Sequence, residues 1–204
     1  MPRGVPAVIP DDGLTTRQRR NAPVLAVHTG DGKGKSTAAF GMAVRAWNSG
    51  LSIGVFQFVK SAKWRVGEET VLTRLGRLHE ETGEGAPVEW HKMGQGWSWI
   101  RHDADVTDHA EQAAAGWREI RRRLANEVHD FYVLDEFTYP LKWGWVDTGE
   151  VIETLTTRPG RQHVIITGRD ASPELMDVAD LVTEMHKVKH PMDAGRKGQK
   201  GIEW

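Results

Sequence analysis

The 204-residue sequence predicts an α/β fold, a mostly parallel sheet with helices on both faces. Three observations carry that expectation. From Pro23 onward short apolar runs alternate with amphipathic stretches, the pattern of repeated strand–helix–strand units. A glycine-rich turn joins the first run to the first amphipathic stretch. Far downstream, a third apolar run ends in two acidic residues.

The elements follow in chain order. Residues 1–22 hold Pro2, Pro6 and Pro10 and a basic cluster at Arg17, Arg19 and Arg20, so they read as a basic N-terminal arm outside the fold. A single domain is expected over residues 23–204. Val24 to Val27 form a short apolar run before the glycine-rich turn, as a buried parallel strand would. A helix follows, with Phe40, Ala43, Val44 and Trp47 at i, i+3, i+4 and i+7, closed by Ser49 and Gly50. Residues 53–59 read as the next strand, and Gly83 to Pro87 as a surface loop. Between 105 and 126 lies the clearest helix: Val106, Ala110, Ala113, Trp117, Ile120 and Leu124 alternate steps of four and three. Its Arg121, Arg122 and Arg123 are expected on the solvated face. Strands are predicted at 131–134, 163–167 and 181–185, with short helices near 149–156 and 173–178.

Composition closes off several classes of function. Lysine and arginine total 27 against 28 acidic residues, so a formal charge of −1 creates no field for nucleic acid or an anionic membrane. There is no cysteine, which excludes disulfides, thiolate metal sites and thiol nucleophiles and fits a reducing cytoplasm. No apolar run approaches the roughly 18 residues of a membrane span.

The strongest motif is Thr29-Gly30-Asp31-Gly32-Lys33-Gly34-Lys35-Ser36-Thr37, placed between a predicted strand and a predicted helix. Glycines let successive backbone N–H groups face a polyphosphate, and the helix N-terminus adds its positive end. Lys35 is positioned to reach phosphate oxygens and the Ser36 hydroxyl to hold Mg²⁺. The loop is one residue short of the common spacing, because only three residues separate Gly30 from Gly34-Lys35. Its acidic counterpart is Asp135-Glu136, at the end of the apolar run from Phe131. A carboxylate at that strand end lies in the crevice where open α/β sheets bind ligands, and either residue could hold the metal. The fold is thus P-loop NTPase-like, of the RecA-like kind, and binds a Mg-nucleotide.

Two further regions stand apart from an ordinary NTPase. Trp90, Trp97 and Trp99 fall within ten residues, among nine tryptophans in all, and their spacing is too irregular for one helix face. Trp90 reads as core. Trp97 and Trp99 follow two glycines and read as ligand-facing loop aromatics. Near the C-terminus, His186 and His190 have i, i+4 spacing, but Pro191 and the flanking lysines argue against a metal site. This basic segment reads instead as a contact for an anionic ligand or a ribose.

The runs Thr29 to Gly41, Met93 to Trp99, Val133 to Glu136, His163 to Arg169 and Val188-Lys189-His190 resemble the ATP:corrinoid adenosyltransferases. The resemblance extends from about Pro23 to Trp204. It implies that a corrinoid reduced to Co(I) attacks the 5′ carbon of ATP and releases triphosphate, in adenosylcobalamin biosynthesis or salvage. It also implies that Thr29 and Gly30 and the residues from Asp31 to Thr37 bind ATP, with Ser36 and Glu136 holding Mg²⁺ or Mn²⁺. Arg45 and His190 match nucleotide contacts of the family, although Arg45 lies ten residues beyond Lys35, roughly 15 Å along a helix. Trp97 and Trp99 match an aromatic pair that crowds the lower corrinoid face and displaces its axial ligand. The family usually has phenylalanine at the first of these and asparagine where Asp31 stands. A homodimer and an electron-donating reductase are implied partners. The competing readings are a conventional P-loop kinase or NTP hydrolase, and a nucleotide-gated RecA-type binding protein.

If the tryptophans act on cobalt reduction, Trp97→Ala or Trp99→Ala should leave ATP affinity nearly intact. Turnover from Co(II) corrinoid should fall severely, and chemically pre-reduced Co(I) should restore much of it. Core aromatics would instead cost roughly 3–5 kcal/mol of stability and depress every activity together. Thermal unfolding beside the two assays separates these outcomes.

Overall fold

The computed structural model describes residues 11–59, 66–93 and 104–202. Six parallel strands form one sheet in the order β3-β2-β4-β5-β1-β6. They are β1 (Leu25–Thr29), β2 (Ile53–Gln57), β3 (Val88–Lys92), β4 (Phe131–Asp135), β5 (His163–Thr167) and β6 (Leu181–Glu184). The helices are α1 (Thr16–Arg20), α2 (Lys35–Asn48), α3 (Gly67–Thr82), α4 (Ala104–Ala125), α5 (Thr138–Lys142), α6 (Thr148–Thr157) and α7 (Pro173–Asp177). A 3-10 turn follows at Pro191–Ala194.

Strand alternation divides the core into two layers. On one face Leu25, Val27, Phe56, Tyr132, Leu134 and Ile166 pack against α4, α6 and α7. Trp117, Ile120 and Leu124 of α4 are all buried there. On the other face Ala26, Ile53, Val55, Val133 and Ile165 meet α2 through Ala39, Phe40, Ala43 and Ala46, and α3 through Leu72. β1, β2 and β4 are buried at every position, which is why they read as continuous apolar runs.

Several expectations are corrected. Val44 is 42% exposed, and the buried stripe of α2 instead includes Ala39 and Ala46. No periodicity marked α3 or β3. α3 buries only Leu72 and Gly76, and β3 is an edge strand of mixed polarity with no fully buried residue. Trp90 of β3 nevertheless packs on the α2 core and stacks on Phe40 at 5.2 Å. Arg123 does not lie on a solvated face. Its guanidinium bonds Glu89 at 2.6 Å and Glu119 at 2.6 Å and lies over the Phe56 ring. Arg121 and Arg122 are exposed, as expected, and pair with Glu150 and Glu119. In the predicted arm, Thr15 caps the short α1 with a full capping box, and no α1 residue is buried. Among the described residues no helix is long and apolar enough to cross a membrane.

His129 sits at the edge of this layer. Its ring fills the space a side chain on Gly54 would need, 2.5 Å from an added Cβ. Burial pushes its pKa down to about 4, with the Arg123 and His91 charges acting the same way and Glu89 and Asp130 opposing. The unfolded chain therefore takes up a proton that the folded one refuses. The stability held by neutral His129 is intact above pH 6.5 and is lost as pH falls from 6.5 toward about 4. By linkage the loss reaches at most about 3 kcal/mol. Urea midpoints should fall more steeply across that window for the parent than for His129→Gln.

Candidate functional site

The phosphate-loop motif connects β1 to α2, and its backbone is fixed by the chain that leaves β6. Met185 donates its N–H to the Thr29 carbonyl at 2.9 Å, and the Met185 carbonyl accepts from Gly32 N–H at 2.6 Å. An added Cβ would lie 2.4 Å from that carbonyl oxygen at Gly30 and 2.7 Å at Gly32. Gly30 also has φ +92°. Two of the loop glycines are therefore demanded by close backbone contact with β6. The Thr29 hydroxyl accepts from Ala171 N–H at 3.1 Å, tying the loop to the segment after β5.

Lys35 is the first residue of α2 and is buried, 8% exposed. Its ammonium donates to the carbonyls of Gly30 at 2.8 Å and Gly32 at 2.7 Å. Desolvation pushes it below the usual lysine range, and the Glu136 carboxylate opposes that shift. Asp31 is turned away from the cavity. Its carboxylate accepts from Lys187 N–H at 3.1 Å, and this bond is the main reason its pKa is held below the usual carboxylate range.

A cavity of about 470 Å³ opens over the loop. Its wall comes from Gly32 to Thr37 of the loop and helix start, with Glu136, Tyr139, Arg169, Glu68 and Phe40 around them. A second, more apolar cleft of about 400 Å³ adjoins it and shares Thr37, Phe40, Glu68 and Ile202. Ser36 and Glu136 face the same cavity as Lys35. Asp135 is fully buried instead, accepting from Gln57 Nε2 at 2.9 Å and from the Thr167 hydroxyl at 2.8 Å. Glu136 follows it with φ +60°, and that turn brings the residue to the cavity wall.

The structure thus gathers Gly32, Lys33, Gly34, Lys35, Ser36, Thr37 and Glu136 around one cavity. Thr29, Gly30 and Asp31 lie beneath or behind the loop, outside the lining. Arg45 is exposed in the last turn of α2, and His190 caps the 3-10 turn through Nδ1 to Met192 N–H; neither lines the cavity. Trp97 and Trp99 lie outside the described residues. Sequence reasoning missed Glu68, Tyr139 and Arg169 as wall residues. Only Arg169 carried a signal, through the Thr167-Gly168-Arg169 strand end.

Comparison with known proteins decides the family. The family model of ATP:corrinoid adenosyltransferases BtuR/CobO/CobP matches residues 21–204. The chain belongs to this family. It is 41% identical over 200 residues to the corrinoid adenosyltransferase of Pseudomonas aeruginosa, covering 97% of this chain and 91% of that one. It is 38% identical over 193 residues to the corrinoid adenosyltransferase CobA of Salmonella typhimurium, covering 95% and 91%. The corrinoid adenosyltransferase of Escherichia coli K12 matches at the same identity and coverage. Family membership does not favour the kinase, hydrolase or RecA-type readings.

The loop geometry makes a direct prediction. Gly32→Ala places a methyl 2.7 Å from the Met185 carbonyl oxygen and 2.8 Å from the His186 backbone. Relief requires the loop to leave β6, at an overpacking cost of about 1–3 kcal/mol. Calorimetric titration with Mg-ATP should show affinity weakened by at least about tenfold, while circular dichroism retains the α/β signature.

Proposed function

We propose that this enzyme transfers the 5′-deoxyadenosyl group of ATP to the cobalt of a Co(I) corrinoid, releasing triphosphate. The observation that carries the proposal is the family match across residues 21–204, joined to a phosphate-loop cavity walled by Lys35, Ser36, Glu136 and Arg169. The cobalt electron pair forms the Co–C bond. The C5′–O bond breaks, and its pair leaves on the triphosphate. No proton moves, so no general base is required. Catalysis then consists of neutralising a polyanionic leaving group and aligning the reacting atoms.

The residues suit that task. Lys33, Lys35 and Arg169 bring three cations to the cavity, and the loop N–H groups from Lys33 to Thr37 lie at the start of α2, where the helix dipole favours anions. The Ser36 hydroxyl and Glu136 carboxylate are hard oxygen donors on one wall, and they fit Mg²⁺, or Mn²⁺, bound together with ATP. Among the described residues no group of three or more histidines and carboxylates forms a cage for a metal by itself. When bound, the ion would supply further charge neutralisation at the triphosphate. Arg45 and His190 are proposed as nucleotide contacts, and Trp97 and Trp99 as corrinoid contacts, on the resemblance. A reductase that delivers electrons to cobalt and a homodimeric state belong to the same proposal.

Incubation with ATP, Mg²⁺ and chemically reduced corrinoid should yield triphosphate and a light-sensitive alkyl-cobalt spectrum. ADP or free phosphate without that spectrum would overturn the proposal. Lys35→Ala should lose measurable Mg-ATP binding in titration and keep a cooperative thermal transition; parental affinity would remove Lys35 from the site.

A further inference from the structure

At the C-terminal ends of β2, β4 and β5, three buried polar side chains run across the sheet. Gln57 Nε2 donates to Asp135 Oδ2 at 2.9 Å. Thr167 Oγ1 donates to Asp135 Oδ1 at 2.8 Å. The same Thr167 oxygen accepts the backbone N–H of Glu136 at 3.0 Å. Gln57, Asp135 and Thr167 are each 0% exposed.

A hydroxyl has one proton to give. Asp135 takes it, so the Thr167 lone pairs are aimed at the Glu136 peptide. That peptide is the point of strain: Glu136 has φ +60°, a left-handed conformation that non-glycine residues rarely adopt. The bond from Thr167 holds the peptide in this turn, and the turn carries Glu136 to the wall of the cavity that Ser36 also lines. The residues after Thr167 are fixed in the same place. The Thr138 hydroxyl donates to the Arg169 carbonyl at 2.7 Å, and an added Cβ on Gly168 would meet that hydroxyl at 1.9 Å. Two hydroxyls thus tie down the cavity's edges, that of Thr167 at the acidic one and that of Thr138 at the basic one.

We propose that Thr167 is a positioning residue for the metal-facing carboxylate, and that Asp135 orients Thr167 without ligating the metal. This rests on the assignment of Ser36 and Glu136 to the Mg-ATP site. The pair of adjacent acids then has divided roles. Asp135 polarises and directs the hydroxyl; the hydroxyl sets the turn; Glu136 reaches the cavity.

The test is Mn²⁺ binding to the enzyme–ATP complex, titrated by electron paramagnetic resonance, together with the Mg²⁺ dependence of turnover. Thr167→Val removes both hydrogen bonds at constant shape. It should weaken Mn²⁺ by about 10-fold or more, the usual effect of removing a group that supports a ligand, and raise the Mg²⁺ needed for half-maximal turnover in step. The KM for corrinoid should stay unchanged. Thr167→Ser keeps the hydroxyl and should restore parental metal affinity. A lowered melting temperature with parental Mn²⁺ affinity would make Thr167 merely structural and overturn the proposal. If Thr167→Val does not fold, Thr167→Ala tests the same loss with less apolar bulk against the carboxylate. Glu136→Gln is the reference: if it leaves Mn²⁺ affinity at the parental value, the assignment of Glu136 itself fails, a result distinct from failure of Thr167 alone.

Discussion

The site depends on a contact that involves no ligand, the closure of the phosphate loop against the chain leaving β6. Met185 grips Thr29 through its N–H and Gly32 through its carbonyl, at 2.9 and 2.6 Å. The approach leaves no room for a Cβ at Gly30 or Gly32. With the loop backbone held there, the carbonyls of Gly30 and Gly32 converge on the Lys35 ammonium. A buried cation without such partners would lose its proton or destabilise the fold. The carbonyls hold it in place, so the loop has its cation already positioned.

The same junction explains which loop residues face the cavity. Gly30 and Asp31 are committed to β6 and its extension, Asp31 through Lys187 N–H. The lining begins at Gly32 and continues through Thr37. An extra negative charge at Asp31 would oppose a polyanion if it pointed into the cavity. Held on the Lys187 amide and near the His186 and Lys187 charges, it is satisfied outside. The departure from asparagine is thereby accommodated by direction.

What the sequence made legible follows from how local each requirement is. The loop was readable because close backbone approach demands glycine at fixed positions, and the central strands because burial on both faces leaves unbroken apolar runs. α3 and β3 were not readable as elements, because their packing depends on partners elsewhere in the chain: Gly76 is buried against Val88, and Trp90, read as core from the sequence, stacks on Phe40. Arg123 looked solvated as part of a basic run. Its role appears only once β3 brings Glu89 to it and β2 places the Phe56 ring under it. Asp135 and Glu136 could not be told apart for the same reason. Adjacent carboxylates are equivalent in sequence, and only the neighbouring Gln57 and Thr167 divide them into a buried acceptor and a cavity wall.

The division has an energetic logic. A carboxylate that is fully buried must have its oxygens hydrogen-bonded, or its desolvation would raise its pKa and neutralise it. Asp135 meets that demand with donors from the strands on either side, which also ties the C-terminal ends of β2, β4 and β5 together. Glu136 lies only one residue further and escapes the sheet through a left-handed turn. At the cavity wall it opposes the downward shift of Lys35, favouring the charged form of the lysine. In a reaction that moves no proton, keeping Lys35 charged, together with Lys33 and Arg169 at the same cavity, is electrostatic work left for the protein to do.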